Sequence, residues 1–319
     1  MSISIEDALR KRRVLNLPCR HGLIIANSGE GKTHVLKTDI ADILATTNDN
    51  IVILDMFGSF NSGMKFQEAS KATHSFGTDK ELSLNIFNLP STKPAFSELL
   101  ESNMFDKIDM FVAMIHMTGI RLTPKERFII SQAVKRCYKN MPEGPTMDAV
   151  IKEILKEGCD AGLASAICEF ARVQCFGNKT NIMFDKKLTV IETSSLGNFN
   201  RVVAIPVLDH LLQVAYQDFK KEKKNTWVYI PHIDTLMSDS DNYIDLFLRR
   251  ARQHAIVCTG TAPKEALSTR GFTESLVHFS SLYLMAPSSK DKGWFDIMGT
   301  EPEGFAQVLA CVGNEAFSI

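Results

Sequence analysis

Apolar residues run along this chain in two alternating rhythms. GLIIA at 22–26 and IVILD at 51–55 are short unbroken apolar runs, the pattern of strands buried on both faces of a parallel sheet. Between them Val35, Leu36, Ile40, Ile43 and Leu44 recur at helical spacing, from Lys32 to about Ala45. Strand, glycine turn, helix and strand make a βαβ unit. From about Phe96 to Phe176 the rhythm turns helical. SELLESNMFDKIDMFVAMIHM and TPKERFIISQAVKRCYKN predict two helices, the second with Thr123 as N-cap and Pro124 at its first position. The loop MPEGPT breaks the pattern, and TMDAVIKEILKEG and SAICEFARVQC predict further helices. Strands return at 188–193 (LTVIET), 226–230 (TWVYI), 255–261 (AIVCTGT), 282–286 (LYLMA) and within FAQVLACVG. Helices fall between them at about 201–220 and over NYIDLFLRRARQH.

This alternation predicts an α/β fold, with a largely parallel sheet and helices on both faces. The chain divides accordingly into a first part of the core at 1–95, a helical insertion at 96–180 and a second part of the core at 181–319. Met104, Met110, Met114 and Met117 fall at near-helical spacing and predict packing rather than a cofactor box.

Composition excludes several classes. With 45% hydrophobic and 23% charged residues, the 319-residue chain is neither disordered nor collagen-like. A net charge of -1 gives nucleic acid no general electrostatic attraction, so DNA stays open as a partner without support from charge. No uncharged run approaches the roughly 20 residues that span a bilayer, and the opening MSISIEDALRKRR has no apolar signal segment. Cys19, Cys137, Cys159, Cys168, Cys175, Cys258 and Cys311 are scattered without a C-x-x-C pair, which predicts reduced thiols in a cytoplasmic protein. His232 and His254 lack a ligand cluster of recognisable spacing, and KKEKKN at 220–225 reads as a solvated helix end.

The chemistry concentrates at A-N-S-G-E-G-K-T, residues 26–33, a Walker A pattern with Ala26 in place of the usual first glycine. It follows an apolar strand and opens an amphipathic helix, which is the context the motif requires. Gly29 and Gly31 let the backbone curl so that the N–H groups of Asn27, Ser28, Gly29, Glu30 and Gly31 point at phosphate oxygens. The helix beginning near Lys32 presents its positive end. Lys32 would reach the β- and γ-phosphates of ATP, and the Thr33 hydroxyl would serve Mg²⁺.

From these residues outward, the sequence resembles the ATPase domain of the conjugation ATPases of type IV secretion systems, the VirB-four-type proteins, and especially their Gram-positive conjugative-element branch. The resemblance rests on GLIIANSGEGKTHVLKTDIADIL and IVILDMFGSF and continues through LTPKERFIISQAVKRCY, FGNKTNIMFDKKLTVIETSSLG, NTWVYIPHIDTLM, RRARQHAIVCTGTAP and SLYLMAPSSKD. It covers nearly the whole chain, but only the C-terminal ATPase half of a typical family member. It implies a RecA-like P-loop NTPase core that binds ATP and Mg²⁺ and self-associates as a hexamer. It also implies docking with membrane-bound secretion-channel proteins at the inner face of the cell membrane.

The departures from the family concern catalysis. The family's Walker B strand ends in Asp-Glu, where Asp holds the Mg²⁺ shell and Glu activates water. Pro231 and His232 stand there, and neither replaces a carboxylate. Pro231 would end the strand at Ile230. If the strand ran on through residue 233, Asp234 would take the Asp place and Thr235 the Glu place. Asp55, at the end of a neighbouring strand, is a second Mg²⁺ partner. The sensor Gln position is Ala262, and Ser59 replaces an acidic residue. Arg249 and Arg252, with Arg250 between them, read either as arginine fingers reaching a neighbouring subunit's γ-phosphate or as a solvated helical face. The expectation is a motor-type subunit with impaired hydrolysis. A non-hydrolysing nucleotide-dependent scaffold and a DNA-translocating motor of the same superfamily are the alternatives.

Overall fold

The computed structural model describes residues 8–10, 20–60, 71–76, 79, 82–89, 97–222, 224–237, 243–285, 309–312 and 315–318. Strand β1 (Gly22–Ile25), helix α1 (Lys32–Thr46) and strands β2 (Asn50–Asp55) and β3 (Lys71–Ser75) come first. Helices α2 (Ser97–His116), α3 (Pro124–Asn140), α4 (Met147–Lys156) and α5 (Ala161–Phe170) follow. The chain continues through β4 (Leu188–Glu192), α6 (Asn200–Glu222), β5 (Thr226–Ile230), α7 (Tyr243–Gln253), β6 (Ile256–Ala262), α8 (Arg270–Ser275), β7 (Ser281–Leu284), β8 (Leu309–Val312) and β9 (Glu315–Ser318).

Among the described residues the strands form one sheet in the order β3-β4-β2-β5-β6-β1-β7-β8-β9. The run β2-β5-β6-β1-β7 is parallel, and β8 and β9 add an antiparallel margin. Every residue of β1, β5, β6 and β7 is buried, which is why these strands read as unbroken apolar runs. Two strands escape the apolar pattern. KATHS in β3 is largely polar and partly exposed, and β9 is a short strand carried by its pairing with β8. Strand β6 begins one residue later than its apolar run because Ala255 sits at φ 55°, in a turn.

The chain divides into two compact units. The first comprises Met1–Thr73, Phe184–Ile191 and Val214–Ile319. Its core is Val35, Leu36, Ile40 and Ile43 of α1 packed on Ile24, Ile53, Trp227, Tyr229 and Tyr283 of the sheet. Long-range bonds tie polar side chains into it: Tyr229 Oη donates to Asp39 at 2.7 Å, and Trp227 Nε1 to Asp49 at 2.8 Å.

The second unit comprises His74–Met183 and Glu192–Gln213. Helix α3 starts as its sequence predicts. Thr123 accepts from the Glu126 N–H and the Glu126 carboxylate accepts from the Thr123 N–H, a reciprocal capping box ahead of Pro124. Thr146 caps α4 with a single bond, its hydroxyl accepting from the Ala149 N–H. Phe87, Phe111, Phe170 and Phe199 form a chain of tilted and edge-on ring contacts through the core. Met110 and Met114 are buried there. Lys107 and Asp209 form a buried ion pair at 2.5 Å. Cys137 and Cys175 in this unit, and Cys258 in the first, are buried free thiols.

Candidate functional site

The glycine-rich loop at 26–33 leaves the sheet at a fixed point. The Ala26 N–H donates to the Ala262 carbonyl at 3.1 Å, so the loop springs from the carboxyl ends of β1 and β6 together. Gly29 and Gly31 have φ of 84° and 90°, the left-handed region that glycine enters without strain. Ser28 and Gly29 are exposed at the tip. Helix α1 has no side-chain cap and no acidic residue in its first turn. Its opening N–H groups and positive end therefore face the loop without a competing side chain. Thr33 stands in that first turn, half-buried.

Charged groups converge on this loop. Lys32 Nζ donates to the Ala26 and Asn27 carbonyls, the latter at 2.8 Å. Burial lowers the Lys32 pKa, while Glu30, Asp234 and Glu265 pull it back up. The Glu30 carboxylate accepts from the Asn27 N–H at 2.7 Å and from Asn27 Nδ2 at 3.0 Å.

The second wall comes from the segment after β5. The strand ends at Ile230, before Pro231, so the extension through residue 233 does not occur. His232 instead turns into the left-handed region at φ 57°, with its N–H donating to Thr261 Oγ1 at 3.1 Å. A 3₁₀ turn, Ile233–Leu236, follows and carries Asp234 into the field of Lys32. Gly260 makes room for this turn, because a Cβ there would lie 2.5 Å from Ile233 Cγ2. One Asp234 oxygen, Oδ1, is buried without a hydrogen-bond partner. Burial pushes the Asp234 carboxyl up to about 6, against a backbone hydrogen bond and Lys32. Thr235 donates its hydroxyl to the His232 carbonyl at 2.9 Å and is no substitute for a glutamate.

Asp55 has a different position. Fully buried, it accepts from the Ser59 N–H at 2.9 Å and the Phe60 N–H at 2.7 Å, with a longer contact to the Phe57 N–H at 3.4 Å. Both of its oxygens hold the turn after β2, whereas Asp234 retains an unpartnered one. The His232 ring lies edge-on to Phe57 with centroids 4.9 Å apart. Burial and then Lys32 lower the His232 pKa, against Asp55, so the ring is neutral at neutral pH.

Arg249 and Arg252 do not meet the loop of their own chain. They lie at the end of α7, which feeds the amino end of β6, while the loop lies at the carboxyl ends of β1 and β6. At about 3.3 Å per residue the length of β6 separates them by roughly 20 Å. Arg249 Nε donates to the Asp245 carbonyl at 3.4 Å, and an Arg252 nitrogen to the His278 carbonyl at 3.2 Å. A role on a phosphate would have to be played on another subunit. No group of three or more His, Cys, Asp and Glu side chains forms a metal cluster among the described residues.

The raised Asp234 pKa makes a stability prediction. A carboxyl with a folded pKa near 6 and an ordinary value of 3.8 opposes folding when ionised. Native stability should therefore rise as pH falls from about 6 to 3.8 and carry a constant cost above that window. Asp234→Asn should remove this slope and stabilise the ligand-free protein at pH 7 by about 1 kcal/mol, a figure discounted for partial exposure. Urea titrations at several pH values measure it, and an unchanged slope in the variant would refute the assignment.

No family model and no curated protein matches the sequence. Solved structures do match. VirB4 of Thermoanaerobacter pseudethanolicus superposes with a TM-score of 0.74 at 15% identity, over 94% of this chain and 89% of that one. The bacterial conjugative coupling protein TrwBΔN70 gives 0.55 at 14% identity, over 99% and 90%. TrwB in complex with ADP and Mg²⁺ gives 0.52 at 16% identity, over 93% and 81%. The fold is thus α/β, built on a mostly parallel sheet. Among α/β folds it is the one shared by VirB4 and the TrwB coupling protein.

Proposed function

We propose that this chain binds ATP with Mg²⁺ and acts as a motor-type subunit of a conjugative type IV secretion apparatus, with slow hydrolysis. One observation carries the binding reading: an open glycine loop with an uncapped helix start, faced by Lys32 and by a buried carboxylate oxygen that lacks a partner. The orphaned Asp234 oxygen suits a hard cation that prefers oxygen ligands. Thr33 and Asp234 would hold the ion, directly or through water, with Asp55 behind as a fixed charge. The loop N–H groups and Lys32 would hold the phosphates. Bound Mg²⁺ would supply neutralisation of phosphate charge.

Slow turnover follows from what surrounds this cradle. Pro231, His232, Thr235 and Ala262 supply no carboxylate at the positions where the family activates water, and losing such a group costs about 100-fold or more. That same absence favours the second reading, a nucleotide-dependent scaffold. The likeness to VirB4 and TrwB supports a place in conjugation, with assembly as a hexamer and docking on channel proteins at the inner membrane face. No described helix is long and apolar enough to cross a membrane.

Steady-state phosphate release tests the proposal. The wild type should show Mg²⁺-dependent turnover below about 0.1 per second, slow for an enzyme, and lost in Lys32→Ala. Turnover absent even from the assembled protein selects the scaffold. Calorimetry showing no nucleotide affinity would overturn the P-loop reading altogether.

A further inference from the structure

A second cation meets the phosphate loop. Lys264 opens the 3₁₀ turn Lys264–Ser268 that follows β6. Its side chain is only 9% exposed, and its ammonium lies 3.8 Å from the Glu30 carboxylate. The register of the sheet puts it there. Ile25 pairs with Ala262, and the Ala26 N–H bonds to the Ala262 carbonyl, so Lys264 sits two residues beyond the point where the loop begins.

Ala262 is fully buried and its side chain has no donor to offer a ligand. The polar reach of this wall therefore comes from beyond the strand. An ammonium this far from bulk water costs desolvation unless an anion answers it. At 3.8 Å the Glu30 contact is an ion pair longer than a hydrogen bond. Glu30 has other partners in the Asn27 N–H and side-chain amide, so it stays anchored if the ammonium moves. A terminal phosphate entering the loop would offer Lys264 a stronger anion.

We propose that Lys264 contacts the terminal phosphate of a bound nucleoside triphosphate, supplying the donor that Ala262 lacks, and that Glu30 holds it in the nucleotide-free protein. This rests on the nucleotide-binding reading above and adds a residue that distinguishes triphosphate from diphosphate.

Calorimetric titration with a non-hydrolysable ATP analogue and with ADP, each with Mg²⁺, tests it. Lys264→Ala should weaken the triphosphate analogue about tenfold or more, as expected for losing one charge-assisted contact, and change ADP by less than about twofold. Lys264→Arg keeps the charge and should keep most of the preference. Retained ADP binding shows that the variant is folded. Equal loss for both ligands, or no loss for either, would overturn the role of Lys264 while leaving nucleotide binding intact. A wild type that binds neither ligand would overturn both readings.

Discussion

Lys32→Ala is expected to lower affinity for Mg²⁺-ATP by about 100-fold or more, equivalent to roughly 2.7 kcal/mol. Lys32 is held at the loop by the Ala26 and Asn27 carbonyls, so its ammonium is placed before any ligand arrives. That preorganisation reduces the ordering cost of binding. Charge-assisted hydrogen bonds to phosphate are worth about 1.5–3 kcal/mol each, and this ammonium can make more than one. The loss has a second source. Glu30, Asp234 and Glu265 all act on Lys32 electrostatically. Without it their charges oppose an incoming polyphosphate more strongly. Lys32→Arg should not rescue binding, because a planar fork does not fit a pocket shaped for a point charge. Calorimetry with ATP and ADP measures the effect. Unimpaired binding in Lys32→Ala would show that the loop is not the nucleotide site.

Lys107→Ala is expected to destabilise the helical unit by about 3–5 kcal/mol, the usual cost of stranding one partner of a buried ion pair. The two side chains are 4% and 5% exposed. Asp209 also accepts from Gln213 Nε2 at 3.0 Å, which cannot neutralise a buried carboxylate. The pair joins α2 to α6, so its loss acts on two helices together. Against a typical total of 5–15 kcal/mol, such a change is large. A double replacement, Lys107→Met with Asp209→Leu, should recover much of the loss, because burying neither charge removes the desolvation cost. Urea unfolding followed by circular dichroism checks both. A single variant within about 0.5 kcal/mol of wild type would show that water or another cation serves Asp209.

Local features of the site were legible in the chain. The phosphate loop depends on a strand, two glycines and a helix start that are neighbours in sequence, and all of them appear in place. The caps at Thr123 and Thr146 depend on residues three positions apart. The end of β5 at Ile230 follows from the ring of Pro231, which lacks the N–H a central strand must donate. Polar strands such as β3 were not legible, because pairing and not apolar pattern defines them.

Other outcomes depended on distant neighbours. Asp55, at the end of one strand, and Asp234, past the end of its neighbour, were both candidate Mg²⁺ partners. Only the folded chain shows that Asp55 is bonded to its own turn while Asp234 keeps a buried, unpartnered oxygen. The turn that delivers Asp234 relies on the missing Cβ of Gly260 on the adjacent strand. The approach of Lys264 to Glu30 joins residues far apart in sequence through the pairing of β1 with β6. Arg249 and Arg252 fell at the opposite end of that strand from the loop, which no spacing along the chain reveals. The sequence by itself determined the α/β alternation, the glycine turn between strand and helix, and the helix caps, because backbone conformation answers to residues a few positions away. The tertiary structure alone decided which charges face the loop, because sheet order and register set distances between residues that no local pattern connects.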